Sequence, residues 1–166
     1  MPGMRNLAMI YDLDPTYLYD LLPEFDFDNP PVDPIQFAIE LTETMMTLNA
    51  IGLAANQVGK QHRLCVIRSD PVLALYNPII VDQSSESNIL EEGCCSFPGL
   101  LIKVRRPNAI RIRYTQPNGE RMTKKYVGMT ARIVCHEVDH LNGVTFQKRA
   151  SRLALALAKG KEKNRL

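Results

Sequence analysis

Tryptophan is absent from this chain, and histidine occurs only three times in 166 residues. No apolar run approaches the roughly 20 residues of a membrane-spanning helix, so no membrane partner of that kind is expected. A formal net charge of only +2 makes no overall electrostatic case for binding DNA or other nucleic acid. Cysteine is scarce too. Cys65, Cys94, Cys95 and Cys135 are the four present, two of them adjacent, which is a poor start for a disulfide framework. All four are expected as thiols in a reducing compartment, with Cys65, beside Leu64, Val66 and Ile67, as a small buried hydrophobe. The N-terminus lacks a long apolar core and meets acid by Asp12. No signal peptide is expected, and the cytoplasm is the expected location.

What is present is an ordinary globular composition, 45% hydrophobic and 23% charged. The length suits one domain over residues 1–166, expected as a monomer. Residues 1–32 are expected as an irregular N-terminal arm and 147–166 as a short basic C-terminal tail. Charge is unevenly spread: every charged residue from Asp12 to Glu43 is acidic, and from Lys148 to Arg165 only Glu162 breaks a basic run. Solvated surface explains both runs. A contact of the basic tail with ribosomal RNA is the sharper alternative.

Asp33-Pro34-Ile35-Gln36 predicts a helix start, with Asp33 as N-cap, Pro34 in the first turn and Gln36 closing a capping box. The apolar positions Ile35, Ala38, Ile39, Met45 and Met46 predict its buried stripe, running to about Leu48. Ile51 to Gly59 reads as a small-residue loop. His62 to Arg68 reads as a strand whose opening histidine is expected at the surface. Ala74 to Val81 reads as a second strand broken at Pro78. Alternation of Ile110, Ile112 and Tyr114 with Arg111 and Arg113 predicts a strand over Ala109 to Thr115. Pro117-Asn118-Gly119 then turns the chain into a return strand over Arg121 to Val127. A helix is predicted from about Thr130 to Leu141, stopped by Asn142-Gly143, and a last one from Ser151 to Lys159, broken by Gly160. The expected fold class is α+β, with antiparallel β-sheets packed around a central helix that carries a metal motif.

That motif is His136-Glu137-Val138-Asp139-His140. Residues four apart share a helix face, so His136 and His140 can hold one cation together while Glu137 stays free for proton transfer. A chance match on an amphipathic helix is the competing explanation. Met129, Ile133, Val134, Val138 and Leu141 surround the polar pair, and a buried ionisable cluster is costly without a metal or partner. The third ligand is missing downstream, where no histidine or acid follows before Glu162. Upstream, Glu92-Gly93-Cys94 offers a thiolate in a glycine-softened loop. Cys94 is preferred to Cys95, Cys65 and Cys135, the last turned away by about 100 degrees of helix rotation. Two imidazoles, one thiolate and one open position describe a hydrolytic centre, not a structural one. A metallo-endopeptidase with this helix motif is one alternative, and a catalytically silent metal-bearing binding module is another.

Three segments together resemble the signature motifs of peptide deformylases: Ile51-Gly52-Leu53-Ala54-Ala55-Asn56-Gln57, Glu92-Gly93-Cys94-Cys95-Ser96 and His136-Glu137-Val138-Asp139-His140. The likeness runs from about Asp33 to Phe146. It departs at Ala50, usually glycine in that family, and at Cys95, usually leucine; the stretch through Pro31 and the short tail also match poorly. The resemblance implies a metal-dependent hydrolase that removes the formyl group from the N-terminal formyl-methionine of nascent polypeptides and releases formate. It implies one divalent metal, usually ferrous iron, with zinc, nickel or cobalt able to substitute. Catalytic roles fall to Glu137 as proton carrier, and to Gln57 and the backbone N–H of Cys95 as oxyanion donors. Substrate binding falls to Ile51, Gly52, Gly93, Met129 and Ile133. Arg106 is a candidate partner for Glu92 or Asp139, bracing the ligand loop against the helix.

Overall fold

The structure, a computed structural model, describes residues 15–165. Residues 1–14, the first part of the expected arm, lie outside the described residues. After a turn of 3-10 helix at Pro15–Leu18 the chain runs irregularly to Asp33, with Leu18, Leu22 and Phe25 buried. Leu22 N–H donates to Leu141 O at 3.0 Å, which ties this arm to the end of the motif helix.

Helix α1, Pro34–Thr47, begins as expected, with Asp33 accepting from the N–H groups of Ile35 and Gln36. The reciprocal half of the capping box does not form, because the Gln36 side chain pairs with Glu40 one turn on at 3.2 Å. The buried stripe also differs: Phe37, Ala38, Leu41 and Met45 face the core, while Ile35, Ile39 and Met46 lie exposed. The sequence offers two apolar faces here, and the larger Phe37 and Leu41 side chains fill the core.

Strands β1 (Gly52–Ala54), β2 (Leu64–Ile67), β3 (Leu73–Gln83), β6 (Ala109–Thr115) and β7 (Arg121–Val127) form a five-stranded antiparallel sheet in the order β1-β2-β3-β6-β7. The expected loop at Ile51 to Gly59 is thus a short edge strand followed by a 3-10 turn, Ala55–Val58, all of it buried. Pro78 does not break β3. Asn77 takes a φ of 49°, one register shift spans the proline between Tyr76 and Ile79 and another follows between Ile80 and Asp82, so the strand bulges and continues. His62 is half-buried, packed edge-on against the rings of Phe25 and Phe37, where a surface position was expected. The β6–β7 hairpin turns at Gly119 (φ 88°), and Asn118 Oδ1 accepts from Glu120 N–H.

Strands β4 (Ser87–Cys94) and β5 (Phe97–Pro107) pair as a separate hairpin. The expected ligand loop is therefore the end of a strand. In β5 the buried residues Leu100, Ile102, Val104 and Arg106 alternate with exposed Leu101, Lys103 and Arg105. Helix α2, Gly128–Leu141, starts two residues earlier than expected and lies between the large sheet and the hairpin. Its Val134, Cys135, Val138 and Leu141 join Cys65, Ile67 and Leu75 in one core, each full burial contributing about 1.5–3 kcal/mol for the larger side chains. Helix α3, Arg152–Lys163, runs through Gly160 because Ala154, Leu155 and Ala158 pack on Leu100, Ile102 and Val104. Its outer face carries exposed Leu153, Leu157 and basic residues. The fold is α+β with antiparallel sheets around the helix that carries the motif, as expected.

Candidate metal centre

Helix α2 places His136 and His140 one turn apart, with ring centroids separated by 5.0 Å. Both are buried. The end of β4 brings Cys94 to them, its Sγ 3.3 Å from His140 Nε2. One donor atom from each of the three residues lies within 4.8 Å of the others, and theirs is the one such cluster among the described residues. Cys65 and Cys135 are buried in the core away from it.

The donor set fits a divalent cation. His136 Nδ1 is engaged by Glu92 Oε1 at 3.0 Å, which leaves Nε2 free to ligate. Burial, together with the charges of His136 and Arg106, keeps the His140 ring neutral by pushing its pKa well below 6.5. A neutral imidazole is the form that binds metal. The Cys94 thiol is driven the other way, upward, by its hydrogen bond with Cys95 and by burial, so a cation is needed to make it a thiolate.

Glu137 points into the same space. It is 4% exposed, and its Oε2 has no hydrogen-bond partner. Burial raises its pKa well above 4.5, with the Cys95 charge adding to the effect. Gly52 on β1 makes room for it: a Cβ at Gly52 would sit 2.8 Å from Glu137 Oε1 and 2.9 Å from Ile133. Gln57 is buried in the 3-10 turn after β1 and held by both ends of its amide. Its Oε1 accepts from Ala54 N–H at 2.9 Å, and its Nε2 is aimed at Ser96 Oγ (3.0 Å), Cys95 Sγ (3.4 Å) and Cys94 Sγ (3.5 Å).

A cleft of about 400 Å³ opens onto this group. Ile51, Gly52, Gly93, Met129 and Ile133 all line it, as do Gln57, Cys94, Cys95, His136 and Glu137. Met129 is 56% exposed at the rim, whereas Ile133 also touches the core. The sequence-based expectation thus named residues that the fold brings to one cavity.

Beneath the ligands lies a buried ionic lattice. Glu92 accepts from Arg106 Nε and NH2 at 3.0 Å each, from Arg132 NH1 at 2.6 Å and from His136 Nδ1. Burial opposes its charge, yet the hydrogen bonds and positive charge of His136 and Arg106 bring its pKa down to about 2. Arg106 extends to Asp139 at 2.6 Å, so it meets both of the partners considered for it, and Asp139 also accepts two bonds from Arg149. Arg132 and Asn56 were not anticipated. Arg132 also donates to Val104 O, Asn88 O and Asn88 Oδ1, stitching α2 to the β4–β5 hairpin. Asn56 Nδ2 donates to His140 O at 2.6 Å. The spacing of Arg132, one turn before His136, was the available signal for the first; nothing in the sequence marked the second.

A family model of polypeptide deformylases matches residues 23–155. The peptide deformylase of Synechocystis sp. is 40% identical over 134 residues, which is 76% of this chain and 72% of the relative. That of Cytophaga hutchinsonii is 34% identical over 148 residues, 84% of this chain and 80% of the relative. Among solved structures, a peptide deformylase from Synechococcus elongatus in complex with actinonin superposes with a TM-score of 0.83 at 32% identity, covering 97% of this chain and 91% of that one. A peptide deformylase from Thermotoga maritima gives 0.80 at 30% identity, covering 90% and 99%. With motif helix, thiolate strand and glutamine turn converging on one cleft, and with this likeness across most of its length, the chain belongs to the polypeptide deformylase family.

Proposed function

We propose that this chain hydrolyses the formyl amide of N-formyl-methionyl peptides, releasing formate, through the cleft described above. The observation that carries the reading is the approach of three donor atoms, from half-buried Cys94 and buried His136 and His140, within 4.8 Å of one another, beside an unpartnered carboxylate oxygen of Glu137. Cys94, His136 and His140 hold the cation, ferrous iron by family likeness, with zinc, nickel or cobalt as substitutes. Such a cation supplies the Lewis acidity that makes a water acidic near neutral pH.

Glu137 takes the proton of the attacking water and returns it to the leaving amine nitrogen. The developing oxyanion is met by the Gln57 amide, whose orientation is set by Ala54, and by the Cys95 backbone N–H at the start of the turn after β4. The substrate backbone lies as an added strand between β1, an outer strand of the large sheet, and the end of β4, where Gly52 and Gly93 allow close approach. The methionine side chain enters among Ile51, Met129 and Ile133. The cytoplasm is the proposed location. The exposed basic face of α3 (Arg152, Lys159, Lys161, Lys163) is proposed to contact ribosomal RNA near emerging chains.

Metal content and formate release from a formyl-methionyl tripeptide test the site. Cys94→Ala should lose both. Glu137→Ala should keep the metal and lose nearly all turnover; turnover retained in that variant removes its proton-carrying role. Internal cleavage of an unstructured protein without formate would make the chain an endopeptidase instead. Ribosome co-sedimentation that is unchanged after truncation at Gly160 would remove the RNA contact.

A further inference from the structure

Cys95 has no part in the chemistry through its sulfur, yet that sulfur sits at the mouth of the centre. Cys94 and Cys95 are both partly accessible on the cleft, whereas Cys65 and Cys135 are buried. The Gln57 amide nitrogen touches both sulfurs, at 3.5 and 3.4 Å, so the two thiols face the same side-chain amide. The strand ladder ends with the Cys94–Phe97 pair, so Cys95 and Ser96 form the turn of the hairpin without a strand partner of their own. A chain with one thiol here can only climb toward the irreversible sulfinic and sulfonic acids once oxidised. A second thiol on the neighbouring residue offers another end.

We propose that Cys94 and Cys95 form a reversible, peroxide-responsive dithiol, in which Cys95 resolves oxidation of the centre as an intramolecular disulfide and releases the metal. The inference rests on Cys94 being a metal ligand, because only then does loss of its thiolate open the site. The Cys94 thiolate sulfur attacks an oxygen of hydrogen peroxide, the O–O bond breaks, and a Cys94 sulfenic acid forms while the hydroxide that leaves takes a proton from solvent as water. The Cys95 sulfur next attacks the Cys94 sulfur, the S–O bond breaks, and the departing hydroxide takes the Cys95 proton as a second water. The two sulfurs are oxidised by two electrons in all, and one peroxide is reduced to two waters.

Neighbouring Cα atoms are about 3.8 Å apart, well inside the roughly 4.4–6.8 Å that disulfides usually span, so the bond is strained and readily reduced. A small dithiol therefore reopens it and restores the ligand. Adjacent placement also makes the resolving step intramolecular, which favours it over capture by a second peroxide at low peroxide concentration.

The test treats the metal-loaded protein with three equivalents of hydrogen peroxide, enough to carry a lone thiol to the sulfonic acid, followed by intact mass, peptide mapping, metal content and recovery by dithiothreitol. The expected product has lost two hydrogens, maps to one peptide holding both cysteines and has released its metal. Dithiothreitol should return both thiols and full metal binding. Cys95→Leu and Cys95→Ser should instead gain two or three oxygens on Cys94 and fail to recover; the serine variant keeps the test open if leucine disturbs folding. Wild type that gains oxygens on Cys94 while Cys95 stays free overturns the proposal, as does equal recovery of wild type and both variants. Metal bound before oxidation at one equivalent in wild type, and none in Cys94→Ala, separates failure of the switch from failure of the ligand assignment.

Discussion

Replacing Glu92 with glutamine keeps the shape of the side chain and removes the charge on which the lattice under the metal ligands converges. The carboxylate accepts four bonds, two from Arg106, one from Arg132 and one from His136. Glutamine can accept at one oxygen only and turns an N–H group toward buried guanidinium groups. Removing one partner of a buried ionic pair costs about 3–5 kcal/mol. The pKa gives a second measure: the fall from 4.5 to about 2, at about 1.4 kcal/mol per factor of ten, corresponds to about 3 kcal/mol. Because the folded value is depressed, this stabilisation is complete above 4.5 and is lost as pH falls through about 2. Urea unfolding of both proteins with a chelator present isolates the lattice from metal binding. The variant should be weaker by about 3 kcal/mol near neutral pH. The gap should narrow progressively below the ordinary carboxylate range, over the acid interval in which both proteins still unfold cooperatively. Loosening of the His136 ring should also weaken metal binding on the order of 10–100-fold. Equal unfolding midpoints near neutral pH, or a gap that persists undiminished on acidification, would refute the assignment of Glu92 as the hub.

Gly52→Ala should fold and bind metal but release formate on the order of a hundredfold more slowly, because its Cβ meets Glu137 Oε1 at 2.8 Å and displaces the proton carrier; wild-type kcat/KM in the variant would contradict the close packing described. Gln57→Ala should cost on the order of a hundredfold in kcat with metal content unchanged, as expected for one oxyanion donor; a rise in KM alone would assign Gln57 to binding. Gly143→Ala places a Cβ 2.5 Å from Tyr19 O at a φ of 72°, and should lower unfolding stability by about 3 kcal/mol. Thermal unfolding at the wild-type temperature would show that the arm is not packed there.

Much of the centre was legible because its spacing is local. His136, Glu137 and His140 depend only on helical periodicity, and the Asn118-Gly119 turn only on backbone preference. Cys94 emerged by elimination, since no acid or histidine follows His140 closely. The end of α2 and the bounds of the β6–β7 hairpin followed from the same short-range patterns. Elements that failed were those decided by partners far along the chain. Gly52–Ala54 has too few residues to show alternation and is a strand only because β2 pairs with it. The alternation of Leu100, Ile102, Val104 and Arg106 was visible in β5, but an arginine in the buried series disguised it; Glu92 and Asp139 make that burial tolerable. Gly160 ends no helix because the packing of Ala158 on the hairpin outweighs the about 1 kcal/mol that a helical glycine costs.

The amino-acid order alone determined which groups could ligate, which carboxylate stood free beside them and how the hairpin over Ala109 to Val127 turns, since each depends on residues a few positions apart. Only the tertiary structure decided that Arg132 and Asn56 support the ligands, that Arg106, already a candidate, meets both Glu92 and Asp139, that Gln57 is aimed at the thiols and that Ile35, Ile39 and Met46 face outward. Those outcomes rest on contacts between residues 14 to 84 positions apart, or on competition between two apolar faces for one core, and local pattern carries no information about either.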